Sequence, residues 1–229
     1  MLCNQVTEVT GDNTMFCPGA IGGLIMTGEF TDTSWYSLEN MEMTADKLTE
    51  YALFIAKESE QELKPVILHN NTKCAVPMDN IAFWLYKFLG ILGNKAIPAD
   101  SATGYGVETE MSVFMMDDLA ITFIPGEIFP ELVFGTEYGD ASPENDNPEP
   151  LCQIAKEHGI ENMLIAGLAN DEIGYIVPPS DFLLNEELPY LERTMDYKCE
   201  DHYEETNSIG PECAYVIAET FERLVNTMK

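Results

Sequence analysis

Apolar residues return every three or four positions in two stretches of the first half of the chain. Thr44 through Glu60 and Asn80 through Leu92 each place them on one face, which predicts two amphipathic helices. Thr44 or Asn40 is expected to cap the first helix, because a side-chain oxygen there accepts hydrogen bonds from free backbone N–H groups. The second helix is expected to end at Gly93-Asn94.

Three further helices are predicted in the second half. Pro211 through Met228 repeats apolar residues at helical spacing and predicts a terminal helix. Leu151 through His158 predicts a short helix, and another is expected to open at Gly126-Glu127 and to cover Phe129 to Phe134. The apolar face of the terminal helix is predicted to carry Ala214, Ile217, Ala218, Phe221 and Val225.

Short runs of apolar and β-branched residues predict the strands. Thr109 through Pro125 contains two such runs on either side of Asp117-Asp118, which predicts a β-hairpin. Further strands are predicted at Pro65–Leu68, where the strand is short and buried, at Met163–Ala166, and at Thr14–Phe16, which runs into a turn containing Gly19, Gly22 and Gly23. Strands that alternate with helices predict an α/β fold, a layered mixed sheet with flanking helices.

The segment from Gly139 to Pro150 is polar and contains three prolines. It is predicted to be a surface loop, because the elements on either side belong to one sheet. We therefore expect a single α/β domain over residues 1–229. The chain begins close to a strand-like segment, so we also expect this domain to be incomplete at its N-terminus and to be the C-terminal part of a longer protein.

The composition is that of a globular protein with a strongly acidic surface. Of 229 residues, 45% are hydrophobic and 10% aromatic, which excludes a disordered chain. The net charge of −29, from 40 acidic and 11 basic residues, repels phosphate backbones and anionic membranes, so no nucleic-acid partner is expected. The excess charge is read as a solvated acidic surface, with adaptation to divalent cations or salt as the alternative.

The cysteines and the N-terminus add two expectations. The six cysteines form no C-x-x-C pair, so scattered reduced or buried thiols are favoured over a zinc knuckle or a disulfide framework. Residues 1–9 lack the basic start and apolar core of a signal peptide. No apolar run approaches the ~18 residues of a transmembrane helix, so a soluble chain is expected. Its compartment is not given by the sequence.

Three segments combine glycine, polar residues and tyrosine at loop-like spacing: Ile124–Glu127, Gly167–Pro179 and His202–Pro211. The second directly follows the predicted strand Met163–Ala166, and strand tips are where open α/β sheets keep their sites. Together, the segments resemble the neutral/alkaline non-lysosomal ceramidases, a family of zinc-dependent amide hydrolases. The resemblance is clear from about Val113 to Val225.

The resemblance implies four site residues. Glu127, in Pro-Gly-Glu, and Tyr175, after Gly-Leu-x-Asn, correspond to zinc ligands, and Tyr203 to a tyrosine that faces the substrate amide. Asn170 belongs to the same motif and is expected to contact substrate. Taken alone, Glu127 is an ionised carboxylate near a helix N-terminus, where the helix dipole favours its charge. Taken alone, Tyr175 is a half-buried residue bonded to its own loop, and Tyr203 packs beside the terminal helix.

The chain also departs from the family. The family's zinc takes histidines from the N-terminal half of its catalytic domain, whereas His69, His158 and His202 stand in no such motif and are expected to be structural or exposed. The turn that matches the family's nucleophile turn, Cys17–Gly23, contains no serine. Cys17 is a candidate for a thiol that replaces this serine. The favoured alternative is that Cys17 is buried and packs as a small apolar side chain, so the catalytic residue stays unknown.

These observations leave three functions open. The first is a ceramidase-like amidohydrolase of the N-acylsphingosine type, acting on an amphiphilic amide or lipid, with the missing zinc ligands supplied by another chain or by an N-terminal segment. This chain alone is then expected to be inactive. The second is a non-catalytic relative that binds lipid or another amphiphile, or assembles with a partner or as a homo-oligomer. The third is an acidic protein whose loops, such as Asp140–Glu149, bind Ca²⁺ without an EF-hand pattern.

Overall fold

The computed structural model describes residues 1–24, 37–58, 62–135, 147–198 and 200–228. They fall into two units. The first contains the described residues of Met1–Cys17 and Ile25–Leu63, and the second contains those of Pro18–Leu24 and Lys64–Lys229. The single domain expected over residues 1–229 stays a prediction.

The first unit consists of two helices, α1 (Leu2–Thr10) and α2 (Leu38–Glu58). The side-chain amide of Gln5 joins them, since it donates to Asp46 Oδ1 over 2.5 Å and accepts from the Thr49 hydroxyl over 2.8 Å. Helix α1 was not predicted. Helix α2 confirms the helix predicted from Thr44 through Glu60 but begins earlier. The last two residues expected for it, at positions 59 and 60, lie outside the described part of the chain.

The predicted caps of α2 are wrong. The Ser37 hydroxyl accepts a hydrogen bond of 3.0 Å from the backbone N–H of Asn40, so Ser37 caps the helix. Asn40 lies in the first turn and Thr44 lies further inside the helix. The start predicted at Thr44 lies six residues, or nearly two turns, after the observed start at Leu38, so the sequence placed the start too late.

Two predictions for the N-terminal segment are also wrong. Residues 13–19 have no regular secondary structure, although Thr14–Phe16 was predicted to be a strand. The Met15 and Phe16 side chains are 84% and 66% exposed, so no buried face holds this segment as a strand. Cys17 is exposed, not buried. The turn at Gly22-Gly23 is confirmed, with a φ of +72° at Gly23.

The elements of the second unit in chain order are β1 (Ile67–Pro77), α3 (Ile81–Phe88), β2 (Lys95–Pro98), β3 (Tyr105–Met116), β4 (Leu119–Phe123), β5 (Glu127–Ile128), α4 (Pro130–Phe134), α5 (Leu151–Glu157), β6 (Asn162–Ala166), β7 (Tyr175–Ile176), β8 (Thr194–Met195), β9 (Asp201–His202) and α6 (Cys213–Asn226). The unit is built on a five-stranded mixed sheet in the order β1-β3-β4-β6, with β2 paired to β3. Within this sheet, strands β4 and β6 are parallel and the other pairs are antiparallel. This arrangement confirms the predicted α/β fold, a mixed sheet with flanking helices.

The core lies between one face of the sheet and helix α6. Phe221 and Val113 are fully buried there, and Ala120 lies beside them on the sheet. All five residues predicted for the apolar face of α6 are buried, which confirms that prediction. Each large apolar side chain removed from water contributes about 1.5–3 kcal/mol to stability, so this helix fixes the sheet that carries the site.

The β3–β4 hairpin is confirmed, with Asp117 at a φ of +56° in its turn. Helix α5 and strand β6 are confirmed as well. Strand β1 corrects the short buried strand expected at Pro65–Leu68: it starts at Ile67, has 11 residues and pairs with β3 along its whole length. Ile67 and Leu68 are 61% and 44% exposed. The polar residues that follow hid the rest of this strand from a search for apolar runs.

Helix α3 is confirmed but ends at Phe88, not at Gly93-Asn94. Gly90, with a φ of +74°, turns the chain one residue after the Leu89 cap.

The predicted surface loop Gly139–Pro150 lies outside the described residues up to position 146. In the described part of the chain, no helix is long and apolar enough to cross a membrane. Among the described residues, Cys3, Cys17, Cys74, Cys152 and Cys213 are free cysteines, and Cys74 and Cys213 are buried.

Candidate active-site cleft

The carboxyl ends of β4 and β6 bring two of the three motif segments together. Because these strands are parallel neighbours, the residues after them leave the sheet at the same edge. The backbone N–H of Ile124 donates to Ala166 O, and that of Ala169 donates to Ile124 O, both over 2.9 Å. The backbone N–H of Ile173 donates to Pro125 O over 2.9 Å. The strand-tip placement expected for the segment that starts at Gly167 is therefore observed, and Ile124–Glu127 lies at the same edge.

Glu127 and Tyr175 are direct partners in the short parallel pair β5–β7. Register partners in neighbouring strands lie ~4.8 Å apart and leave the same side of the pair. Glu127 lies in this strand and not at a helix N-terminus, since α4 begins at Pro130. The expected stabilisation of its charge by the helix dipole is therefore wrong: burial raises the pKa of Glu127.

Tyr203 comes to the same place from the third segment. Tyr175 also forms a parallel bridge with Ser208, which lies just after the 3₁₀ turn Glu204–Asn207. The phenol oxygens of Tyr175 and Tyr203 lie 3.5 Å apart, and their rings meet edge to face with centroids 6.0 Å apart. This oxygen separation is longer than the ~2.8 Å of an ordinary O–H···O bond. One polar ligand atom can therefore approach both oxygens.

These side chains line a cleft of about 560 Å³. That volume is in the ~300–1,000 Å³ range of small-molecule sites, and most of the wall is apolar. Two carboxylates, Glu127 and Glu172, and two phenols, Tyr175 and Tyr203, supply its acidic and hydroxyl groups. The remaining lining residues are Met78, Phe83, Leu92, Asn94, Val107, Leu168, Ile173, Gly174, Asn207 and Ile209.

Sequence reasoning did not single out Glu172. The residue as a whole lies at the surface, while loss of water around its carboxylate raises its pKa to about 7. A hydrogen bond from the Gly174 N–H acts in the opposite direction, and the negative charges of Glu127 and Asp171 add to the rise. The only signal in the sequence was its place inside the Gly167–Tyr175 motif. The cleft thus contains a carboxyl group that titrates near neutral pH.

Two glycines allow the segments to approach this closely. A Cβ on Gly167 would lie 2.5 Å from the carbonyl oxygen of Gly19, and the Gly167 N–H donates to Pro18 O over 2.9 Å. A Cβ on Gly174, which has a φ of +93°, would collide with the carbonyl oxygen of Asn207. Any other residue at either position would push the neighbouring backbone away.

The contact with Gly167 places the turn Pro18–Gly23 at the same edge of the sheet. Gly22 also donates its N–H to Ile128 O over 2.9 Å, next to β5. The turn therefore lies beside the strand pair that carries Glu127 and Tyr175. Its residues Pro18, Gly19 and Ala20 have no hydroxyl or thiol group.

The side chain of Asn170 has a structural partner on strand β3. The φ of Asn170 is +73°, and its side-chain amide donates to the Ser112 hydroxyl over 3.0 Å. Leu168, two residues earlier, has a φ of +52° and lines the cleft. Non-glycine residues rarely adopt positive φ, and such strain concentrates at functional loops. A substrate contact by Asn170 stays a prediction.

The three histidines have structural or surface positions, as expected. His202 is buried, and its Nδ1 lies 2.8 Å from Glu205 Oε1, which also accepts from the Leu183 N–H over 3.0 Å. Burial lowers the pKa of His202 and the Glu205 carboxylate raises it, with a net rise. This pair anchors the segment that carries Tyr203. His158 bonds to Ile154 O and Asn226, and His69 is exposed.

The described residues do not make a complete metal site. Among them, no group of three or more histidine, cysteine, aspartate or glutamate side chains is arranged to hold a metal ion. Glu127 and Tyr175 supply two oxygen donors on neighbouring strands. A structural or catalytic zinc takes three or four protein ligands, so two oxygen donors alone do not complete such a site.

The solved structures contain a relative of this fold. The neutral ceramidase from Pseudomonas aeruginosa aligns with a TM-score of 0.56 and 14% sequence identity. The alignment covers 94% of this chain and 37% of that one, so the chain spans little more than a third of that ceramidase chain. No protein-family model matches the sequence, and neither does any curated protein. The chain therefore shares the fold of part of a neutral ceramidase.

Proposed function

We propose that the cleft binds an amphiphilic amide and that the chain is the substrate-holding part of a ceramidase-like hydrolase. The observation that carries this proposal is the meeting of three separate segments at one apolar cleft, where Glu127, Tyr175 and Tyr203 lie together. The fold similarity to a neutral ceramidase supports the same function.

The chemistry of the cleft suits an amide with an apolar chain. The apolar walls, which include Phe83 and Leu92, match a hydrocarbon tail. Burial raises the pKa of the Tyr203 phenol, and the nearby Tyr175 hydroxyl adds to the rise, so Tyr203 is protonated at neutral pH. A protonated phenol donates a hydrogen bond to an amide carbonyl. Tyr203 is thus proposed to orient the amide.

Glu127 and Tyr175 are proposed as two zinc ligands, as the family resemblance implies. A bound zinc would polarise the amide carbonyl. Two donors hold zinc weakly. Further ligands would have to come from another chain or from an N-terminal segment, as the family resemblance implies. The chain by itself is therefore expected to bind the amide without hydrolysing it.

The test is a calorimetric titration of the purified chain with N-hexanoylsphingosine below its critical micelle concentration. We expect Tyr203→Phe to weaken binding about threefold to tenfold, which is the loss of one hydrogen bond. Tyr197→Phe is the matched control, because Tyr197 is 90% exposed and should leave the affinity unchanged. Absence of binding by the folded chain, or equal affinities for all three proteins, would refute the proposal.

A non-catalytic binding module is the second candidate. The incomplete metal site in the described residues and the side chains of the Pro18–Ala20 turn favour it. Equilibrium dialysis against zinc separates the two candidates. Zinc that is lost in both Glu127→Ala and Tyr175→Phe supports a partial metal site. Equal zinc content in wild type and variants leaves the binding module.

A further inference from the structure

Helix α3 and the turn after it present apolar side chains to water. Six residues of this segment are from 44% to 76% exposed, and we call them the apolar ridge: Ile81, Leu85, Tyr86, Phe88, Leu89 and Ile91. A surface helix normally turns its polar residues outward. Here the opposite is found: Phe88, the last residue of the helix, is 76% exposed, and Ile91, in the turn after it, is 66% exposed. Contiguous exposed apolar surface of this kind marks an interaction site.

The charged residue of the segment is turned inward. Lys87 is less exposed than Phe88, and its ammonium group donates to Leu92 O over 3.2 Å. Trp84 stacks on Phe88 with ring centroids 5.7 Å apart and an interplanar angle of 14°. The lysine therefore closes the turn after the helix, and the stacked rings keep Phe88 at the surface.

The ridge lies in a stretch without acidic residues, in a chain that has 40 of them. From Asn80 to Ala99 there is no aspartate or glutamate, and the two lysines are Lys87 and Lys95. Lys95 pairs with Glu108 Oε2 at 3.2 Å, a carboxylate that it shares with Lys73. The net charge of −29 opposes an anionic membrane, whereas a neutral apolar ridge fits zwitterionic headgroups. Trp84 and Tyr86 belong to the residue types enriched at the membrane–water interface.

The ridge is continuous with the cleft. Phe83, inside α3, and Leu92, just after Ile91, both line the cleft wall. The same short segment therefore exposes apolar side chains outward and lines the cleft inward. We propose that the apolar ridge docks the chain on a zwitterionic lipid surface, beside the mouth of the cleft. An amphiphile would then enter the cleft from the lipid surface. The docking itself does not depend on the proposed function.

The experiment is flotation of the whole chain with phosphatidylcholine vesicles. Leu89→Ser/Ile91→Ser removes two ridge residues that are 61% and 66% exposed; Leu89 is the C-cap of α3, whose bond to Leu85 O uses the backbone N–H and is kept, and Ile91 lies beyond the helix. Val66→Ser/Ile67→Ser is the matched control, since these residues are 52% and 61% exposed. Ile67 starts β1, and the other end of this strand, Pro77, lies ~33 Å from it and three residues before Asn80, the cap of α3. The control positions are therefore at the opposite end of β1 from the start of α3. We expect the ridge variant to bind at least about tenfold more weakly than the control, which should match wild type.

A second readout follows Trp84 itself. Trp35 and Trp84 are the two tryptophans, so Trp35→Phe leaves Trp84 as the only reporter. Its emission should shift to shorter wavelength when vesicles are added. Equal binding of the ridge and control variants, or no binding by the folded wild type, would overturn the proposal. Concentration-dependent self-association without vesicle binding would assign the ridge to a second copy and also overturn it.

The outcomes separate docking from the cleft function. N-hexanoylsphingosine is titrated into the ridge variant as well. Retained amide affinity with lost vesicle binding supports docking through the ridge. If wild type binds the amide but not vesicles, the docking proposal is wrong and the proposed function of the cleft stands. If wild type binds vesicles but not the amide, the proposed function of the cleft is wrong.

Discussion

Substitution of Gly174 tests the close approach of the segments that form the cleft. Gly174 has a φ of +93°, its carbonyl accepts from the Glu127 N–H over 3.1 Å, and its N–H donates to Glu172 Oε1 over 2.8 Å. A Cβ added there would collide with the carbonyl oxygen of Asn207 and lie 3.4 Å from the Phe83 ring. Gly174→Ala should therefore push the Tyr203 segment away from Tyr175.

The magnitude follows from comparison with Gly104. Gly104 has a φ of +75° with nothing within 4 Å of an added Cβ, so Gly104→Ala carries backbone strain alone, about 1–2 kcal/mol. Gly174→Ala adds a collision with backbone, which cannot rotate aside, and should cost about 2 kcal/mol more. For a chain of this size, that difference corresponds to a further fall of about 4–8 °C in Tm.

The assay is thermal and urea unfolding of both variants beside wild type, with the amide affinity measured on each folded protein. Gly174→Ala should be the less stable variant and should bind N-hexanoylsphingosine more weakly than Gly104→Ala. Equal losses of stability would show that Asn207 does not lie against Gly174, and the described geometry of the cleft would then be refuted.

Two further predictions concern Asn80 and Glu172. Asn80 caps α3 through Oδ1, and its Nδ2 donates to Thr206 O and Ser208 O over 3.1 and 2.8 Å. Asn80→Asp keeps the cap but loses both donated bonds, so we expect urea unfolding to show a loss of about 1–3 kcal/mol; an unchanged midpoint would contradict this. The pKa of Glu172 is raised from 4.5 to about 7, so its contribution to stability is full below pH 4.5 and is lost as the pH rises through about 7. Glu172→Gln should therefore lose less stability than wild type between about pH 5 and pH 8, and parallel Tm–pH curves would contradict this.

Local and periodic features were predictable from the sequence. The β3–β4 hairpin follows from two β-rich runs around a short polar turn, and α6 follows from its apolar face, because neither depends on distant residues. The segment Gly167–Pro179 was expected at a strand tip, and the parallel pairing of β4 and β6 brings it together with Ile124–Glu127. Tyr203 joins them through the bridge between Tyr175 and Ser208.

Features that depend on distant backbone were not predictable. Strand β1 pairs with β3 across about 40 residues, and its polar middle gave no local signal. Glu127 was expected to open a helix, but its N–H bonds to Gly174 O, far along the chain, and forms a strand pair instead. The raised pKa of Glu172 arises from burial by other segments, which no local pattern records.

Hydrogen exchange with and without N-hexanoylsphingosine tests the central claim most directly, namely that separate segments form one ligand-binding cleft. The claim predicts that the amide slows exchange in residues 172–176 and 203–207 together, at the same ligand concentration. The exposed segment around Tyr197 serves as the internal reference and should exchange at an unchanged rate. Protection of only one of the two segments, or protection confined to other parts of the chain, would contradict the account.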